Sequence, residues 1–300
     1  MMKVERFNYA RLYYRISWTV VTIIVLAIAA LALFPFVWMI LTSLKSAEEI
    51  NMMPPVFFPK ELMFSNYEAA WMKPESTFGR YFWNTIIVAV LGTALQLIIC
   101  IPIAYSISHF SFKGRGLIFM LVVATMMIPY DITLVPNFVT LRHIPFAGGN
   151  DWMGTGGKGF YDSYMGIMVP FLADAFSIFL LRQAFLSVPK DYWEASQVDG
   201  MSSFRYLYSV LLPLSSSSLI TAGLLSFIGK WNAVSWPLII TSTEAIRPLQ
   251  VGLLYFVSEN GSNYHQLMAA ATFTVLPIVL LYFAAQKWFH SGIAASGIKG

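Results

Sequence analysis

Residues able to do chemistry are sparse in this sequence, and most of them fail on spacing. Gly154-Thr155-Gly156-Gly157-Lys158-Gly159 suggests a phosphate cradle, but a P-loop requires G-x-x-x-x-G-K-[ST]. Trp152 stands where the first glycine should be, and Gly159 replaces the hydroxyl residue. Gly200-Met201-Ser202-Ser203-Phe204 begins like a nucleophile elbow and lacks the closing glycine. His109, His143, His265 and His290 lie in separate segments without metal-ligand spacing, so no metal site is expected. Cys100 is the only cysteine, sits in an apolar run and excludes an internal disulfide. These residues support no catalytic site. What remains is a polar stretch, Glu194-Ala195-Ser196-Gln197-Val198-Asp199-Gly200, continued through Phe204 to Leu212-Pro213. Pro189 suits a first helical turn, Ser187 is placed to cap it, and Gly200 ends a short helix in a left-handed turn. A second short helix then starts at Ser202 or Ser203 and reaches Pro213.

The elements that must hold this stretch are membrane-length. Hydrophobic residues make up 57% of the 300 and charged ones 11%, against roughly 25% charged in soluble domains. A bilayer core of ~30 Å takes about 20 apolar helical residues. Residues 17–41, 81–108, 117–138, 164–186, 211–231 and 265–288 meet that length. The first is too long for the apolar region of a signal peptide, about 7–15 residues, and no cleavage pattern follows it. The reading is an all-α polytopic membrane protein with six transmembrane helices. The net charge of +4 belongs to short connections rather than to a nucleic-acid face.

Lys3, Arg6, Arg11 and Arg15 precede the first span, Lys113 and Arg115 join the second to the third, and Lys287 and Lys299 follow the sixth. Arg182, Lys190 and Arg205 flank the connection between spans four and five. Glu48, Glu49, Glu61, Glu68, Glu75, Asp151, Asp162, Glu244 and Glu259 load the opposite connections. By the positive-inside rule, both termini and the 187–210 loop are cytoplasmic. Trp18, Trp38, Trp83, Trp231 and Trp288 fall near span ends and read as interfacial anchors. Residues 45–79, with four prolines, read as an ordered but mostly irregular outer cap, and 143–162 as a flexible glycine-rich hairpin or loop. Asn84, Asp131, Asn137, Asp174 and Asn232 are polar groups in or at the ends of spans. Such groups either hydrogen-bond between helices or line a solute path.

The 194–213 stretch resembles the signature loop of binding-protein-dependent ABC importer permeases. That pattern is E-A-A, three residues, G, nine residues, I-x-L-P. Here Glu194-Ala195-Ser196 precedes Gly200 by the same interval, and nine residues later comes Val210-Leu211-Leu212-Pro213. Ser196 replaces the second alanine and Val210 the isoleucine, and Asp199 matches the sugar-importer version. Phe110-Ser111-Phe112-Lys113-Gly114-Arg115, Met127-Ile128-Pro129 with Pro136, Phe179-Leu180-Leu181-Arg182-Gln183 with Pro189, and Trp231-Asn232 with Pro237-Leu238 resemble further family segments. The tail from Ser291 to Gly300 is similar to the G-A-V-K-G ending of the shorter permease of maltose-type sugar importers.

This resemblance implies the type I ABC importer permease fold in a prokaryotic cytoplasmic membrane. It divides the chain into a cytoplasmic segment at 1–16, a membrane domain at 17–290 with its coupling loop at 187–213, and a cytoplasmic tail at 291–300. It implies a second homologous permease, a dimer of ATP-binding cassette subunits and an extracytoplasmic solute-binding protein as partners, besides membrane lipid. No cofactor is expected in this chain, ATP and Mg being bound by the partner subunits. Glu194, Ala195, Ser196, Asp199, Gly200 and Pro213 would couple to the ATPase, with Ala195 and Ser196 keeping the docking face small. Gly297 and Lys299 in the tail would reach the ATPase too, and 248–262 matches by position a loop that probes the binding protein. The implied solute is a mono- or oligosaccharide. Glycerol phosphate, a sugar-amine conjugate or a peptide are alternative solutes, and an ion-coupled secondary transporter is the alternative class.

Overall fold

The computed structural model describes residues 2–72, 78–260 and 264–296, with side chains described at 14, 17–72, 78–254 and 264–286. Every regular element among them is helical: α1 (Met2–Ser43), α2 (Ala47–Ile50), α3 (Ser65–Met72), α4 (Phe78–His109), α5 (Arg115–Thr125), α6 (Tyr130–Arg142), α7 (Tyr164–Met168) and α8 (Ala175–Ser187). Then follow α9 (Lys190–Val198), α10 (Ser203–Tyr206), α11 (Leu212–Leu214), α12 (Ser216–Trp231), α13 (Ser235–Ile240), α14 (Leu249–Asn260) and α15 (Tyr264–Ser296). The chain forms two compact units, one up to residue 70 together with 260–273, the other 71–259 with the residues from 274 on.

Three stretches, Ser17–Ser43, Phe78–His109 and Tyr264–Gln286, are single helices long and apolar enough to cross a bilayer. The other three expected spans are bent pairs: α5 with α6 at 103°, the α7 stretch with α8 at 47°, and the 203–214 stretch with α12 at 83°. Each bend has a local cause. Pro129 cannot donate to the preceding turn and instead starts α6 with extended backbone (φ −58°, ψ 132°). Pro170 sits in a 3-10 turn at Val169–Phe171, after which Asp174 restarts the helix by accepting the Ser177 N–H at 2.7 Å. Pro213 lies just before the break at Ser215 (φ −102°, ψ 16°). The family resemblance implies a proline-broken third span and a break at Pro213 before the fifth. The structure has a 103° turn in the first, and in the second a break that leaves a 16-residue α12, about 24 Å long.

The main core lies where α4 meets α8 and α12. Cys100, Ile101, Ala104 and Tyr105 pack on Ile178, Leu181 and Phe185, and on Tyr206, Leu207, Leu211 and Ala222. In lipid the tails are as apolar as the core, so close packing rather than water exclusion holds such helices. Small residues stand at that approach: Ala104 and Ala222 are fully buried, and Gly223 faces Leu97. Trp231 belongs to this packing rather than to an interface. It is 1% exposed and donates its indole N–H to the Thr274 carbonyl at 3.1 Å. Trp18 and Trp83 are exposed on this chain, and the side chain of Trp288 lies outside the described residues.

The connections are more regular than their composition suggests. Residues 45–72 carry α2 and α3, and α2 opens with a capping box between Ser46 and Glu49. Glu49 also accepts the Lys60 N–H at 2.8 Å, and these backbone donors hold its carboxyl below the usual range. Residues 143–163 form stacked turns rather than a hairpin. Asn150 donates to the Arg142 and Ile144 carbonyls, and Asp151 accepts the Met153 and Thr155 N–H groups.

Candidate functional site: a surface helix pair and a membrane cavity

The polar stretch forms two short helices that meet in a tight turn. Pro189 is the N-cap of α9, while Ser187 belongs to α8 and bonds back to the Ala184 carbonyl. The expected Ser187 cap is therefore absent, because Val188 and Pro189 already supply the extended entry. Gly200 takes φ +69°, its N–H donates to the Gln197 carbonyl, and the Met201 N–H donates to the Ser196 carbonyl at 2.9 Å. This is a Schellman motif, which satisfies the last carbonyls of α9. Ser202 then caps α10 by accepting the Arg205 N–H. Leu207–Leu211 is a π-helical stretch, a local widening that the sequence reading did not contain.

The two faces of α9 differ. Glu194, Ala195 and Asp199 are exposed, as is Val198 at 88%. Ser196 points the other way. It is 3% exposed and its hydroxyl donates to the Trp193 carbonyl, so it packs within this chain instead of sharing the outer face with Ala195. The inner side is fixed by rings. Trp193 meets Tyr206 at 4.8 Å and His109 at 6.0 Å between centroids, and Tyr105 lies 5.0 Å from His109. The Tyr105 hydroxyl donates to the Ser203 carbonyl. These rings join the helix pair to the end of α4. Gly297 and Lys299 lie outside the described residues.

A second site opens inside the larger unit, a cavity of about 420 Å³ lined by aromatic Tyr130, Phe171, Phe176 and Trp236 and by polar Gln96, Asp174, Ser177, Ser226 and Lys230. Gln96, 2% exposed on α4, is the centre of its polar wall. Its amide donates to Ser177 Oγ at 2.9 Å, and its carbonyl accepts from Ser226 Oγ at 2.8 Å and from Lys230 Nζ. Lys230 also donates to Ser226 Oγ at 2.7 Å. The lysine stem crosses α4 at Gly92, where a Cβ would meet Lys230 Cε at 2.9 Å. Ligand pockets of this kind combine apolar walls with a few convergent polar groups.

Of the five polar residues expected in the membrane, only Asp174 lines this cavity. It lies where the expected mid-span position is, at the break between Tyr164–Phe171 and α8, as the N-cap of α8. Asn84 is 3% exposed and ties loops together, donating to the Ala245 and Arg247 carbonyls and accepting from the Tyr164 hydroxyl. Asn232 is exposed at the end of α12 and bonds to the Ile228 carbonyl. Asp131 is exposed in the first turn of α6, and Asn137 is half-buried one turn and a half further on. The sequence reading passed over Gln96, Ser177, Ser226 and Lys230. Lys230 carried a usable signal, a cation inside an apolar run; the others carried none.

Comparison with known proteins agrees with this architecture. A family model described as binding-protein-dependent transport system inner membrane component matches residues 96–295. The arabinooligosaccharides transport system permease protein AraQ of Bacillus subtilis is 29% identical over 289 residues, covering 96% of each chain. The sn-glycerol-3-phosphate transport system permease protein UgpE of Yersinia enterocolitica is 27% identical over 272 residues, 89% of this chain and 92% of that one. A solved bacterial ABC transporter involved in the import of the acidic polysaccharide alginate contains a chain that matches with TM-score 0.79 and 26% identity, over 92% of this chain and 97% of that one. A chain of a bacterial alginate ABC transporter in complex with alginate pentasaccharide-bound periplasmic protein shares the fold, with TM-score 0.63 at 15% identity over 89% and 92%.

Proposed function

We propose, from the premise that this chain belongs to the binding-protein-dependent transport system inner membrane component family, that it is the permease subunit of an ABC importer for a carbohydrate. It pairs with a second, related permease, and the cavity around Gln96 is its wall of the path. An extracytoplasmic binding protein delivers the solute, and residues 248–262, which include α14, are the segment offered to it. ATP and Mg are bound by a dimer of separate cassette subunits. Both termini and the α9–α10 pair face the cytoplasm, in line with the placement of Lys and Arg.

One observation carries this reading: a capped surface helix with an exposed outer face and an inner face locked by rings to the end of α4. Such an element transmits displacement. When an ATPase subunit pushes on Glu194 and Ala195, the load passes through Trp193, Tyr206 and His109 into α4, and through Pro213 into α12. Domain closure of this kind moves packed helices as bodies. Gly200 and Pro213 mark the ends of the lever, and Gly297 and Lys299 add a tail contact to the same ATPase.

The test is purification of the tagged chain from its native host in mild detergent, followed by reconstitution. The expected result is co-purification of a second permease and an ATP-binding subunit, with saccharide accumulation only when ATP is enclosed. A chain stable alone that moves solute on an ion gradient without ATP overturns the reading. The similarity to a glycerol-3-phosphate permease makes that solute the second one to assay.

A further inference from the structure

The cavity wall holds a cation outside any direct ion pair, with the charge of Asp174 acting on it from farther off. Among the described residues Lys230 has no carboxylate within 4.0 Å, and its hydrogen-bond partners are the neutral Gln96 and Ser226. Two ordinary explanations for a lysine here do not fit. A cation in the last turn of a helix is favoured by the terminal carbonyls, but this side chain turns back one turn to Ser226, away from them. A lysine near a span end can also run its ammonium out to the lipid headgroups, but this one crosses Gly92 and ends on buried Gln96. Asp174 lines the same cavity, with Oδ2 held by the Ser177 N–H. The wall therefore offers one ammonium, one carboxylate and flanking rings of Tyr130, Phe171, Phe176 and Trp236.

We infer that the Lys230 ammonium recognises an anionic group, carboxylate or phosphate, on the transported solute. The inference rests on the reading of this cavity as part of a solute path. An ionised group placed in a membrane span is costly, and a passing anion offsets that cost where hydroxyls do so only in part. Charge-assisted hydrogen bonds are about twice as strong as neutral ones. Asp174 then accepts from solute hydroxyls, and the rings take the apolar faces of a sugar.

The experiment uses the complete importer with its binding protein in proteoliposomes loaded with ATP. The probes are a galacturonate trisaccharide, its neutral galactose counterpart, sn-glycerol 3-phosphate and glycerol. Lys230→Met is expected to lower the acidic-to-neutral uptake ratio at least tenfold, and Lys230→Arg to keep it within threefold of the wild type. Lys230→Cys is expected to behave like Lys230→Met until S-aminoethylation rebuilds the ammonium and restores the ratio in the same folded protein. The uronate and phosphate arms tell the two anion sources apart. An unchanged ratio in Lys230→Met overturns the inference, as does a wild type that carries only the neutral probes. Loss of the second permease from the Lys230→Met complex also overturns it, by assigning the ammonium to subunit pairing. If the wild type accumulates no probe with ATP, the transport reading itself fails, and the inference with it.

Discussion

The α9–α10 pair and the Gln96 cluster are both polar islands in an apolar protein, and they are built in opposite ways. The helix pair is closed by bonds between near neighbours, Met201 to Ser196, Gly200 to Gln197 and Arg205 to Ser202. The Gln96 cluster joins residues 81, 130 and 134 positions apart, on α4, α8 and α12. A locally closed element keeps its shape when its surroundings move, which suits a lever. A cluster that crosses three helices keeps those helices in register, which suits the body the lever drives. The aromatic group of Trp193, Tyr206, His109 and Tyr105 is the joint between them. On the proposed reading, uptake needs both: a lever that does not melt and a bundle that does not shear.

The contrast is broken most severely by removing Gln96. Gln96→Leu deprives the Lys230 ammonium and Ser226 of their shared acceptor and Ser177 of its donor. Leaving a buried polar group without its hydrogen-bond partner costs about 1–3 kcal/mol, more where the group is charged. The expected outcome is a large fall in the thermal midpoint of the purified protein, read by the loss of a monodisperse peak on heating. Gln96→Glu gives the ammonium a carboxylate at the same place and is expected to recover most of that loss. If Gln96→Leu melts with the wild type, the cluster does not hold the three helices and the comparison fails on its rigid side.

Gly200→Val tests the lever. A Cβ at 200 meets nothing within 4 Å, yet the residue sits at φ +69°, where an L-residue pays about 1–2 kcal/mol and a β-branched one more. The cost is conformational, confined to the turn. The chain is expected to insert and to bind its ATPase, while uptake per ATP hydrolysed falls roughly tenfold, in proportion to about 1.4 kcal/mol per decade. Gly200→Asn, which tolerates the left-handed region, is expected to lose much less. Full coupling in the valine variant sinks the hinge. Measuring uptake and hydrolysis on the same vesicles separates it from a folding defect, which lowers both.

These two regions also differ in how far they were legible. Gly200, Ser202 and Pro213 act on their immediate neighbours, so type and spacing were enough to place both short helices, and the family resemblance added their role. The span lengths were readable for the same reason. Gln96 is one amide in an apolar run, and nothing near it in sequence announces partners 81 and 134 residues away. Asp174 is legible as a mid-span residue, but its work as the cap of a restarted helix is not, because the 3-10 turn around Pro170 does not interrupt hydrophobicity. Trp231 was read as an anchor from its position, but packing against Phe82 and Phe227 decided otherwise. The orientation of Ser196 depends on Trp193 and the end of α4, so motif spacing alone set it on the wrong side of α9.

A third region sharpens the comparison because it is long-range but open to water. Asp162, at φ +53°, accepts the Ser242 and Thr243 N–H groups through Oδ1 at 2.8 and 3.0 Å, and the Thr243 hydroxyl through Oδ2. Partial burial alone pushes its carboxyl up, but the Thr243 and Ser242 amides, the Thr243 hydroxyl and the charge of Lys158 outweigh it and hold the carboxyl below the usual carboxylate range. A depressed carboxyl pKa stabilises the folded form above the unfolded value, and that stabilisation is lost as pH falls through the folded one. The clasp is therefore expected to be intact at neutral pH and to open below about pH 4, the ordinary aspartate value. Because solvent reaches it, the effect should be the smallest of the three and local. Hydrogen exchange at Ser242 and Thr243, compared after correction for intrinsic pH dependence, should accelerate at low pH while amides in α4 keep their protection. Asp162→Asn should show the fast exchange at every pH. Equal acceleration in α4 would place this exposed clasp with the Gln96 cluster, as a bond on which the whole bundle depends.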